Sequence, residues 1–534
     1  MRLNKLVLII IVSAQSLFAQ DIGTTEVKVV EGFQPTIPEA SRLNENAVFS
    51  DTVERNRTQT YDVVDVDLKS NYKTKPLKAA KVKDDKIPKL YQSKISLGTG
   101  YRVGSKLSAL YNSTRSKDMS YGVLFNHFNN NVKVDGKQAG RSNNNLNLYA
   151  KKIKKNKIYI ANLDYERIGA FTYGNSTTDY NRFAYTRFSS SYINTDKAHN
   201  KMIRDVSFFV SDLNEMSENQ IHLSSNLSKK INNLPFNLEI NFNNYLNYNN
   251  KDSKYESMDE KILELLPSTS ITKYDIDFDI GMELDYSFNK TLGYSPEIKA
   301  TKELVKDVLL VYGGLRHSDQ RNSLKSLSDE NPYIHTYGTN QSILGSSNDS
   351  LLHELRFTDI DELYVSMRNM LGKDEVFEGS LAYGIVRNFP HFFGIANNNY
   401  NRFQVDYLDV KQLHANVNYD RKINNIMSID ASVDYFNWDK EVSHKPDLVI
   451  DIKIPINLRN KIKANPSFSY KGGRISQQEK LPALFYVNIG MFYSYSKQLS
   501  AYFQFNNLTN SKQELWSGYK EVGFNGVFGL SYSF

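Results

Sequence analysis

Cysteine is absent from all 534 residues, which excludes disulfides, thiolate metal sites and a lipid-bearing cysteine at a mature N-terminus. Long apolar runs are absent as well, and nothing approaches the ~18–20 consecutive apolar residues that a membrane-spanning helix needs. The chain has only 2 Trp against 35 Tyr and 29 Phe, and its mean hydropathy is −0.51. No His-Glu-x-x-His pair, Gly-x-Ser-x-Gly elbow or phosphate-binding loop occurs, so the sequence predicts neither an enzyme nor a cofactor. A net charge of +7 is modest for this length, and an exported chain of this kind excludes nucleic acid as a natural partner.

The N-terminus carries Arg2 and Lys5, then the apolar run Leu6 to Val12, then small and polar residues to Ala19. This is the layout of a secretory signal peptide over residues 1–19, too short to span a bilayer. Residues 20–90 are punctuated by Pro35, Pro38, Pro76 and Pro88 and end in a lysine-rich tail, and they predict an extended periplasmic segment with little core of its own. One apolar piece there, Glu26, Val27, Val29 and Val30, is a candidate docking strand for a periplasmic partner by β-augmentation.

From residue 91 to 534 the dominant signal is alternation with period two, the signature of strands with two unlike faces. In the last stretch Val522, Phe524, Phe528, Leu530, Tyr532 and Phe534 share one face, and Gly523, Asn525, Gly529, Ser531 and Ser533 the other. In a second stretch Tyr274, Ile276, Phe278, Ile280, Met282, Leu284 and Tyr286 alternate with Asp275, Asp277, Asp279, Gly281, Glu283, Asp285 and Ser287. Such a row of carboxylates on one strand face must meet water, because unpaired buried charge costs several kcal/mol per group. The opposite face must then be covered by something broad and apolar. A closed barrel in a bilayer satisfies both faces and leaves no open edge. The fold class predicted is therefore all-β: a transmembrane antiparallel up-and-down barrel in the outer membrane. Tight connections such as 154–156 and 459–461 alternate with long ones such as 129–140, 251–270 and 319–351, as expected of periplasmic turns and outer loops. Strands counted this way number 21; an even number is required, so the expectation is 20 or 22, with the error falling between Thr195 and Leu304.

The C-terminal third resembles the barrel of TonB-dependent receptors. The resemblance rests on Lys445-Pro446-Asp447, on Asn506-Asn507-Leu508-Thr509-Asn510, on Trp516-Ser517-Gly518-Tyr519, and on Gly523-Phe524-Asn525 leading into Phe534. It implies an outer-membrane receptor-like barrel. Residues 20–90 are too few and too polar for the globular plug of that family, so a plugless variant is expected. Thr24 to Val30 is similar to the family's short TonB-contacting box, although apolar pieces of that length arise readily by chance.

The resulting expectations are specific. Asp275, Asp277, Asp279, Glu283 and Asp285 line the lumen; Phe528, Leu530, Tyr532 and Phe534 form the assembly signal and face lipid. The sequence Phe389-Pro390-His391-Phe392-Phe393, together with Trp438 and Trp516, reads as an aromatic girdle at headgroup level. Partners are outer-membrane lipid, the outer-membrane assembly machinery, and a periplasmic partner through residues 20–90. Function divides between passage of a solute and a non-transporting scaffold of an envelope complex. An unfilled barrel of this size would be a leak, so something must fill or cap the lumen.

Overall fold

The computed structural model describes residues 90–114, 116–174, 179–195, 203–232, 234–247, 260–288, 292–334, 356–394, 402–476 and 479–534. The signal peptide and the candidate docking strand Glu26, Val27, Val29 and Val30 lie outside the described residues.

Period-two sequence becomes one continuous antiparallel wall. Its first strands are β1 (Ser93–Tyr101), β2 (Val103–Asn112), β3 (Met119–Asn130), β4 (Arg141–Lys154), β5 (Lys157–Thr172) and β6 (Asp179–Asn194). They are followed by β7 (Ile203–Leu213), β8 (Glu218–Ile231), β9 (Leu234–Asn247), β10 (Glu260–Lys273), β11 (Ile276–Ser287) and β12 (Leu292–Val305). The wall continues through β13 (Leu309–Arg321), β14 (Phe357–Gly372), β15 (Glu375–Gly394), β16 (Phe403–Lys422) and β17 (Ser428–Trp438). β18 runs Leu448–Lys453 and resumes at Ile456–Leu458 after Pro455, which cannot donate to the ladder. β19 (Ile462–Gly472), β20 (Leu484–Ser494), β21 (Leu499–Asn506) and β22 (Asn525–Ser533) complete a closed barrel of 22 strands.

Closure is made by β1 against β22, from Lys94 opposite Ser533 to Tyr101 opposite Gly526. The final residue takes part: the amides of Gln92 and Ser93 donate to the Phe534 carbonyl at 3.1 and 3.0 Å, and the Phe534 amide donates back to Ser93 at 2.9 Å. Phe528, Leu530, Tyr532 and Phe534 are each about half exposed on the outer surface, while Val527 and Ser531 are buried on the inner one. Outward Ile95, Leu97, Leu163, Leu223, Ile280, Ile298, Leu363, Val365, Leu381 and Met491 extend this apolar belt around the wall. A closed, hydrogen-bonded barrel with an apolar outer surface is what a bilayer requires, and this is an outer-membrane architecture.

The connections at the end holding Phe534 are short. Tyr274 and Asp275 (φ 55° and 56°) and Arg459 and Asn460 (φ 51° and 57°) have the paired left-handed backbone of two-residue hairpin turns. At the other end, connections such as 322–356 and 507–524 are long, which makes it the outer end. The strand overlooked in the sequence is β10, whose residues fall largely in a stretch that had read as a loop. Its Lys261-Ile262-Leu263-Glu264-Leu265-Leu266-Pro267 mixes both faces and hides the alternation.

β13 leaves the wall near the outer end. Its last pair with β12 is Ile298 opposite Leu315, whereas its pairing with β14 continues to Arg321 opposite Phe357. A side chain at Gly314, one residue before the parting, would collide with the Ile298 carbonyl, its Cβ lying 1.8 Å from the oxygen. Above that point the odd-numbered residues of β13 reach inner-face groups: Arg321 pairs with Glu260 and covers the ring of Tyr245. The β13–β14 tip thus leans into the barrel mouth.

Candidate functional site

The site consists of a water-facing wall and a cap above it. On β11, Asp277 accepts a hydrogen bond from Thr272 Oγ1 and Asp279 one from Ser270 Oγ, both at 2.5 Å, on the inner face. Glu283 and Asp285 follow on that face, Asp285 opposite Glu264 of β10. Asp275 differs from the expectation: it sits in the two-residue turn at the periplasmic end, outside any strand, because the hairpin needs its left-handed backbone. Further round, His414, Asn416 and Asp434 form an inner cluster, with His414 Nε2 at 3.0 Å and Asn416 Nδ2 at 2.8 Å from Asp434.

The inward tip of β13 adds His317 and Asp319, of which Asp319 had read as the start of a loop. One ligating atom from each of Glu283, His317 and Asp319 lies within 4.8 Å of the others. Arg316 makes two hydrogen bonds to Glu362, at 2.8 and 2.6 Å.

Across the outer mouth the loops form a core. α1 (Leu324–Glu330) follows Ser323, whose hydroxyl caps it by accepting from Ser326 N at 3.1 Å. Its first amides donate to the Glu218 carboxylate of β8 at 2.8 and 3.3 Å, and Lys325 reaches Glu166 of β5 at 2.9 Å. Since α1 connects β13 to β14, it crosses the mouth to touch strands on the other side. Leu324 and Leu327 pack with Tyr173, Phe183, Leu213, Met216, Tyr333, Ile334, Phe392, Phe403, Trp516 and Tyr519 in one buried cluster. Tyr333 and Tyr519 stack with ring centroids 3.8 Å apart, and Trp516 meets Phe392 at 5.2 Å and Phe403 at 5.6 Å.

Polar ties surround this core. Asn181 Nδ2 donates to the carbonyls of Pro332 and Ile334 at 2.9 and 3.1 Å, and the Tyr173 hydroxyl donates to Lys520 O at 2.7 Å. Arg402 pairs with Asp179, and Lys445 with Glu330. Arg474 donates to the carbonyls of Pro482, Glu514 and Leu515, each at 2.7 Å. His444, in the loop before β18, lies 2.9 Å from the Phe392 carbonyl through Nδ1 and accepts from Ser517 N at 3.3 Å through Nε2. That pattern assigns the neutral Nδ1–H tautomer, and burial pushes its pKa down to about 4.

Two expectations are corrected here. Phe392 and Trp516 are not headgroup-level girdle residues: they are 0% and 7% exposed, in the cap core. Trp438 also packs inside, against the Val386, Val410 and Val442 cluster, and its Nε1 donates to Gln412 at 2.9 Å. An aromatic at a strand end serves either a girdle or a loop core, and only tertiary placement separates the two.

No family model matches the sequence, and no curated protein matches it. Solved structures do. A ferric enterobactin receptor (PfeA) from Pseudomonas aeruginosa aligns with TM-score 0.59 at 10% identity, over 83% of this chain and 80% of that one. A copper transporter, OprC, gives TM-score 0.57 at 11% identity, over 84% and 81%. The ferric-catecholate import receptor Fiu of E. coli K12 gives 0.56 at 9% identity, over 84% and 82%. At such identities the likeness concerns the fold, which is that of a TonB-dependent receptor-like outer-membrane β-barrel.

Proposed function

We propose that the protein acts in the passage or uptake of a solute across the outer membrane, through a barrel without a globular plug whose outer mouth is held shut by its own loops. The observation that carries this reading is the charged inner wall of β10 to β14 directly beneath the cap. A scaffold has no use for a hydrated, acid-lined interior, whereas a conduit needs one. The similar solved structures, a ferric enterobactin receptor and a copper transporter among them, favour the same direction. Bilayer lipid covers the apolar belt, and the assembly machinery reads Phe528, Leu530, Tyr532 and Phe534. The candidate strand at Glu26, Val27, Val29 and Val30 would engage a periplasmic partner.

The scaffold reading has its own support, because a cap with a buried aromatic core does not open by thermal fluctuation alone. A test separates the two in a barrel whose cap is loosened by Tyr519→Ala. Reversal potentials under a salt gradient are compared with and without Asp279→Arg, which replaces one negative charge by one positive on the inner wall. Passage predicts a shift away from cation selectivity. A current too small to yield a reversal potential in both, with a second protein co-purifying in stoichiometric amount, would favour the scaffold.

A further inference from the structure

We propose that Glu283, His317 and Asp319 form a binding site for one divalent transition-metal ion in the inner wall of the barrel. One ligating atom of each lies within 4.8 Å of the others. The centre of such a triangle is at most about 2.8 Å from each atom, a small side-chain adjustment away from the ~2.0–2.2 Å that nitrogen and oxygen ligands keep from Zn²⁺.

The cluster is more than a set of acidic residues. Glu283 is 6% exposed, on an inner face, and no hydrogen bond reaches its carboxylate from the described residues. A buried carboxylate that accepts no hydrogen bond is costly, and a cation offsets its charge more fully than the neighbouring His317 alone. Asp319 Oδ1 is likewise buried and lacks a well-directed hydrogen bond, although it lies 2.8 Å from His317 Nε2. His317 is also held as a ligating histidine is held. Its Nδ1 is 2.7 Å from Asp361 Oδ1, and Asp361 Oδ2 is fixed in turn by Arg387 at 2.7 Å. A carboxylate behind Nδ1 fixes ring orientation, as it does behind a ligating imidazole; Nε2, which faces Asp319 at 2.8 Å, gives up its proton when the metal binds.

One imidazole with two carboxylates selects Zn²⁺, Mn²⁺ or Fe²⁺ over Mg²⁺ and Ca²⁺, which prefer all-oxygen shells. Three protein ligands leave positions open to water, so the ion can exchange with the lumen. Assembly of the site depends on the inward lean of β13: the odd-numbered residues below the parting, such as Leu315, are on the outer surface. The proposal stands whether or not the barrel passes a solute.

The test uses the full chain purified from outer membranes, stripped with chelator and titrated with Zn²⁺ in a calorimeter, with Co²⁺ absorption reporting the coordination. One equivalent should bind, insensitive to excess Mg²⁺. His317→Gln, Glu283→Gln and Asp319→Asn should each weaken it at least tenfold, while Asp277→Asn on the same wall should leave it unchanged. Asp361→Asn, a positioning change, should weaken it about 10–100-fold, with recovery in Asp361→Glu. Retained heat-modifiable migration of every variant confirms that the barrel is intact. Absence of saturable binding in the wild type, or equal loss in Asp277→Asn, overturns the site.

Discussion

Acidification should loosen the cap through one residue, His444. Its ring is 6% exposed among Phe392, Phe403 and Trp516, it accepts from Ser517 N through Nε2, and the cationic Arg474 acts on it electrostatically. Protonating Nε2 would break that bond and place a cation in an apolar core beside another cation. The ordinary histidine value of 6.5 falls to about 4 here, so the open or unfolded cap binds the proton more tightly than the closed one. The closed cap therefore keeps its full stability above pH 6.5. It loses stability as pH falls below that value, and the loss levels off below pH 4. The gap between 6.5 and about 4 corresponds to about 3 kcal/mol. Trp516 reports this directly, since replacing Trp438 by Phe leaves it as the single tryptophan. The unfolding free energy of the cap, read from its fluorescence change in urea, should fall from pH 7 to pH 4 in the wild type. In His444→Gln it should fall by about 3 kcal/mol less, and the difference isolates His444 from the carboxylates of the cap that titrate in the same range. Equal pH dependence in the two proteins would refute the reasoning.

Further outcomes follow from the wall. Ile280→Arg places a charge on the lipid face of β11 and should cost about 2–4 kcal/mol at the bilayer midplane, sharply reducing folded barrel. Asp279→Arg, one residue away on the inner face, should fold nearly normally by heat-modifiable migration; the reverse order would invert the face assignment. Phe534→Asp should reduce assembled barrel in outer-membrane fractions far more than Ser533→Asp. Both residues are hydrogen-bonded through their backbones, but only Phe534 places an apolar ring on the outer surface. The protein should remain with the membrane through high-salt and carbonate washes, and recovery in soluble fractions would contradict the barrel.

The wall was legible in the sequence because a bilayer imposes a rule on every strand separately. Ile280 and Asp279, or Leu530 and Ser531, declare their faces without knowledge of any neighbour. β10 was missed because Leu265-Leu266-Pro267 breaks the alternation, and Asp275 was misplaced because a hairpin turn and a strand end share one register. That something must fill or cap the lumen followed from the size of the barrel, but the residues of the cap were not legible. Its core draws scattered residues from loops, strand ends and α1 between Ala139 and Tyr519, so no window of sequence carries a pattern. His317 and Asp319 were hidden for a related reason. Their sidedness is set by where β13 parts from β12, a tertiary event with no local signal beyond Gly314.

The most direct test of a lumen closed by its own loops is single-channel conductance in planar bilayers, comparing wild-type barrel with Trp516→Ala/Tyr519→Ala. Each truncation should remove about 3–5 kcal/mol from the cap core while leaving the lipid-facing wall untouched. The wild-type barrel should be closed for nearly all of the recording, and the double variant should show large, frequent openings. Equal conductance in the two, whether open or shut, would contradict the account.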